Sequence, residues 1–140
     1  MANGDVKWFA QGLLDLGNKI HNLSSDTLKL GITIGTTTPS VTTAGPHWGG
    51  TGTTNFASEQ VATGTSYSSG GPTLTTVTWT IVSGVPTLRA DVVTVAQDAT
   101  GFTNGRWGIV YNSTDANKRA LGYVDLGSAR SIQGGALTVD

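Results

Sequence analysis

The residues able to move protons in this chain are few: two histidines, His21 and His47, one glutamate, Glu59, and eight aspartates, with no cysteine. The histidines stand far apart, and no run of carboxylates lies beside either to complete a metal site. Most aspartates fall in or next to turns, where their side chains serve the backbone. Gly49-Gly50-Thr51-Gly52-Thr53 has the glycines of a phosphate loop but lacks the Gly-Lys-Ser/Thr ending that reaches phosphate and magnesium. Asn22-Leu23-Ser24 and Asn112-Ser113-Thr114 match the glycosylation acceptor pattern, yet without a secretory signal they read more simply as turns. No Gly-x-Ser-x-Gly elbow is present to activate a serine. The expectation is a non-enzymatic chain with no cofactor and no metal.

Aromatic residues are the stronger signal. Trp79 and Trp107 sit inside alternating runs and are expected in the core. Trp48 belongs to no periodic pattern and is flanked by Pro46, Gly49 and Gly50. Aromatic anchors dominate many protein interfaces, so Trp48, with His47 and Phe56 in the same stretch, is the first candidate for contact with a partner. Trp8 and Phe9 near the N-terminus come next.

Composition points the same way. Only 12% of the 140 residues are charged, about half the usual share, and threonine, serine, glycine and asparagine supply the polarity. A hydroxyl with a hydrogen-bond partner is far cheaper to cover than an unpaired charge. Such a surface suits burial under another protein. The net charge of −1, with its lysines and arginines scattered, argues against a nucleic-acid partner. No apolar stretch approaches the roughly 20 residues that cross a membrane, and no signal peptide opens the chain. Residues 1–140 are the size of a single domain.

The elements that must carry these residues divide at about residue 23. Phe9, Leu13, Leu16 and Ile20 recur at helical spacing, with Asp5 as a possible N-cap, so 1–23 reads as a short N-terminal helix or arm. Beyond it the period becomes two. Leu28, Leu30, Ile32 and Ile34 form a strand with one buried face. Val77, Trp79 and Ile81 alternate with threonines in the cleanest run of the chain. Leu88, Ala90 and Val92 make another face, as do Trp107, Ile109 and Tyr111. Leu121, Tyr123 and a last strand around Ala136–Val139 follow. Ser83-Gly84 with Pro86, Asn104-Gly105 and residues 112–118 punctuate these runs. Residues 35–58 form a long Gly/Thr-rich loop region, some of whose threonines belong to short edge strands. Many short strands with turns between them predict an all-β sandwich or barrel.

Laid out in order, several of these segments resemble one family. Val6-Lys7-Trp8-Phe9, Asp26-Thr27-Leu28-Lys29-Leu30, Glu59-Gln60-Val61 and Thr65–Gly71 are similar to segments of the capsid cement, or decoration, proteins of tailed phages. So are Thr87–Asp91, Arg106–Tyr111 and Leu121–Gly127. The chain departs from the family at 35–56, which is richer in threonine and glycine than the family's acidic loop, and at 131–140, which is shorter than its terminal hairpin. The resemblance implies a jelly-roll-like antiparallel sandwich that binds the outer surface of a phage head and cements joints between major capsid subunits. It implies the major capsid protein as partner, a place on the virion exterior, and no catalytic residues. Because two-fold pairs are the commonest closed assembly, a homodimer is expected. The alternative expectation is a carbohydrate- or receptor-binding module of a fibre or spike, with Trp48 and nearby hydroxyls holding a sugar.

Overall fold

A computed structural model describes residues 5–140, so the first four residues of the expected arm lie outside the described residues. The chain is mainly β, with one short helix. In order it runs β1 (Val6–Trp8), α1 (Ala10–Gly17), β2 (Leu28–Thr33), β3 (Pro46–His47), β4 (Thr54–Asn55), a 3-10 turn (Phe56–Glu59), β5 (Thr78–Val82), β6 (Val85–Arg89), β7 (Val93–Val95), β8 (Gly105–Asn112), β9 (Ala120–Arg130) and β10 (Leu137–Val139).

One four-stranded antiparallel sheet, ordered β1-β9-β8-β2, organises the rest. The pairs β7–β10 and β5–β6 are also antiparallel, while the short β3–β4 pair is parallel, against the expectation of antiparallel pairing throughout. Residues 6–8, expected in an arm, are instead the edge strand of this sheet. Asp5 caps nothing: the helix starts after Phe9, which makes no side-chain cap.

Both faces of the central sheet are covered. On one face Leu28, Leu30, Ile32, Val110, Val124 and Leu126 pack with Val93, Val95, Phe102, Ile132, Leu137 and Val139. On the other, Trp107, Ile109, Tyr111, Ala120 and Tyr123 pack with Phe9, Trp48 and Phe56. The single buried face expected for β2 is thereby corrected: only Lys29 of its six residues escapes full burial. A strand pair with both faces covered has no solvated row, so β8 loses the polar alternation of a half-buried strand.

The register of β8 with β9 shifts twice, between Gly105 and Trp107 and again between Val110 and Tyr111. Val110 pairs with Gly122 and Tyr111 with Ala120, leaving Leu121 as the extra residue of a bulge. A bulge re-aims the backbone, and here the Leu121 carbonyl accepts the Phe9 N–H at 2.9 Å. That bond hangs the start of α1 on the centre of the sheet.

Candidate interaction surface

Four of the five residues proposed from sequence as contacts are enclosed by the chain itself. Phe9 and Phe56 are fully buried, and His47 and Trp48 are nearly so. The Trp48 ring lies parallel to Tyr111 with centroids 5.3 Å apart and occupies the space where a side chain at position 31 would stand, which is why that position of β2 is glycine. The Trp48 backbone N–H donates to the Lys118 carbonyl at 2.9 Å. Phe9 packs between Phe56 and Tyr123. These residues close the second face of the sheet and have little surface for a partner. As an exposed sugar platform Trp48 is equally unavailable, the residue being 5% exposed.

Trp8 is the exception. It is half-buried, edge-on to Trp79 at 6.0 Å. Trp79 is itself only half-buried rather than a core residue, whereas Trp107 does lie in the core.

The exposed apolar surface lies mainly in two other places; Ile34, expected on the buried face of β2, is also exposed, because the strand ends at Thr33. The first is α1, which is turned inside out. It buries Gly12 and Asp15 and leaves Leu13 and Leu14 about half exposed, although Leu13 was expected to face inward. The reason is local. The helix approaches the Leu121 bulge so closely that a Cβ at position 12 would stand 2.5 Å from the Leu121 carbonyl oxygen. Only glycine permits that approach, and once position 12 faces the sheet, position 15 faces it as well, one turn on. Leu13 and Leu14 are left outside, while Leu16 packs partly against the core. Val41, whose carbonyl accepts the Ala10 N–H at 2.8 Å, adds another half-exposed apolar side chain at the same end of the molecule.

The second place is the hairpin β5–β6. Ser83 and Gly84, both at positive φ, make the two-residue turn that suits tightly twisted strands. Pro86, read from sequence as a breaker, is inside β6. Ile81 is 74% exposed and Val85 59%. The alternation of Val77, Trp79 and Ile81 therefore does not mark a fully buried face. Similarly, Ala90 and Val92 are exposed and β6 ends at Arg89. Beneath the hairpin lies an apolar cleft of about 670 Å³, bounded by Trp8, Leu28, Leu30, Leu88, Val110 and Val124. At its base Asp91 accepts from the hydroxyls of Thr75 and Thr76, and Thr76 itself sits at φ 50°.

Titratable side chains gather at one point, and there they act as a clasp. Asn112 donates through Nδ2 to His21 Nδ1 at 3.0 Å and to Asp26 Oδ2 at 2.6 Å. Its Oδ1 accepts the backbone N–H groups of Thr114 and Asp115. Since His21 Nδ1 accepts, its proton lies on Nε2. Burial holds the His21 pKa below the ordinary imidazole value, against the opposing pull of Asp15, Asp115 and Asp26. The clasp joins the segment after α1 to the β8–β9 connection. Burial also lowers His47, which stands apart from it. Among the described residues, no three His, Asp or Glu side chains converge as metal ligands.

Among the described residues, two ion pairs neutralise part of the sparse charge. Arg106 holds Asp125, lowering that carboxyl below its ordinary pKa, and its guanidinium lies 4.2 Å from the Trp107 ring centroid. Arg119 lies 3.6 Å from Asp115. No family model matches the chain, and no curated protein or solved structure is significantly similar to it.

Proposed function

We propose that this chain is a non-enzymatic cement protein of a tailed-phage head. In this reading it binds the outer surface of the shell across joints between major capsid subunits, as a homodimer, and stabilises the mature shell against the pressure of packaged DNA. The jelly-roll arrangement implied by the sequence resemblance belongs to the same proposal.

The observation that carries the reading is the inverted helix. A helix that buries glycine and aspartate while showing Leu13 and Leu14 leaves apolar area that water disfavours. Half-exposed leucines at the surface, with Val41 nearby and few charges around them, suit coverage by a partner protein. A ligand that binds only the mature lattice stabilises it by RT ln(1 + [L]/Kd) at each site. A two-fold pair engaging two capsomers also gains from effective concentration, by about 10² to 10⁴.

The test is co-sedimentation with heads stripped of this protein, in compact and expanded forms. Saturable binding to expanded heads is expected, with a higher disruption temperature. Replacing Leu13 and Leu14 together by aspartate should abolish that binding while the circular dichroism spectrum is unchanged. Absence of wild-type binding to either form overturns the reading.

A further inference from the structure

We propose that two copies of this chain associate through the outer edges of β5, pairing antiparallel about a two-fold axis to form a continuous sheet β6-β5-β5-β6. The inference deepens the homodimer part of the cement reading and is independent of the shell.

The argument begins at the turn. A two-residue hairpin closes on a pair that exchanges both hydrogen bonds, here Val82 with Val85. Alternation then turns the main-chain groups of Thr80 and Thr78 toward β6, and those of Ile81 and Trp79 away from it. No backbone hydrogen bond outside the hairpin satisfies residues 78–82 among the described residues. On β6 the corresponding outward positions are Leu88 and Pro86, and Pro86 has no N–H to offer. Proline at that place blunts an edge. The β6 side of the hairpin is blunted by proline and the β5 side is open.

The open side lacks the usual protections. Strand edges are commonly guarded by charge, proline or a bulge, and β5 reads Thr-Trp-Thr-Ile-Val with an unbroken register against β6. No charged residue occurs from Thr73 to Leu88. The central sheet shows the contrast. Its β1 edge has Lys7 within it and Asp5 beside it. Its β2 edge is covered by hydrogen bonds with residues 59–61 and 72–74.

The occupant that fits is the same strand. A strand with outward donors and acceptors at 79 and 81 is its own complement when 79 faces 81 of the second copy. Pairing centred on Thr80 makes about four hydrogen bonds across the axis, and an uncharged strand meets no like-charge repulsion. Ile81, 74% exposed in one chain, then lies beside Trp79 of the other. Two thin hairpins become one four-stranded sheet, which passes the size at which such sheets gain stability of their own.

The register supplies a sharp test, because the chain has no cysteine. Thr80 faces its own copy at a non-hydrogen-bonded pair, where Cβ atoms stand about 4.5 to 5.5 Å apart. Thr80→Cys should therefore cross-link quickly and almost completely under mild oxidation. Thr87→Cys, across the hairpin on β6, should not. Sedimentation velocity should show a wild-type dimer, weakened about tenfold or more in Ile81→Pro, which removes an outward donor only. A monomeric wild type up to about 1 mM, or equal cross-linking of the two cysteine variants, overturns the pairing. If Ile81→Pro is monomeric yet still binds stripped heads, the pairing stands and the shell does not require it. If the wild type pairs through Thr80 but binds no heads, the pairing stands and the cement reading falls.

Discussion

Residues 44–61 and residues 75–91 have similar composition, threonine-rich with one tryptophan each, yet one is sealed into the protein and the other projects from it. The first is tied down by long-range bonds: Trp48 N–H to Lys118, Ile34 N–H to Glu59 and Val61 N–H to Ile32. Glu59 also accepts from the backbone and hydroxyl of Thr37. The second is bonded mainly to itself and closed at its base by Asp91. Burial follows from these distant attachments, since local pattern favours the hairpin as the more obviously apolar alternating run.

The difference should be largest in stability. Trp48→Ala empties the space between Gly31 and Tyr111 and should cost about 3 to 5 kcal/mol in urea unfolding. Trp79→Ala should cost about 1 to 2 kcal/mol, because its ring is only half-buried. Equal losses would break the comparison. Gly12→Ala should destabilise by about 1 to 3 kcal/mol despite alanine's better helix propensity, since the new Cβ meets the Leu121 carbonyl. A stabilised variant would show that the helix can lift from the bulge.

Acid should act next, and on the buried side. His21 and His47 have folded pKa values below the ordinary 6.5, so the unfolded chain takes up protons that the folded chain resists. Their contribution to stability is therefore complete above about pH 6.5 and falls as the pH drops below it. Melting temperature measured from pH 7.5 to 5 should decline, and His21→Gln with His47→Gln should flatten the slope while leaving carboxylate effects at lower pH. The smallest expected effect is at the hairpin tip: Ser83→Asn, which suits the positive φ of the turn, should stabilise by a few tenths of a kcal/mol. A loss there would sharpen the view that the tip is shaped by more than its own turn.

The position of most strands is legible in the chain. Alternation over Leu28–Ile34, Trp107–Tyr111 and Ala136–Val139 marks β2, β8 and β10, and Ser83-Gly84 marks the hairpin turn. The faces were harder to read. Leu13 belongs to a clear helical stripe with Phe9 and Leu16, but Gly12 facing the sheet leaves Leu13 outside while Phe9 and Leu16 pack inward. Trp48 stands in no pattern because nothing periodic buries it; a glycine in the opposing strand, Gly31, makes its place. Glycines interrupting apolar runs were the available signal, since each marks a close approach whose partner the sequence does not name.

The sequence by itself determined a mainly-β chain, its low charge, its scattered titratable groups and its turns, because these depend on residue type and short-range spacing. Tertiary structure decided which aromatics are enclosed, which face of α1 meets solvent, and which strand edge is left open. Those outcomes depend on the Leu121 bulge, on Gly31 opposite Trp48 and on the return of residues 44–61 across the sheet. Each joins segments distant in the chain, and burial is settled only where such segments meet.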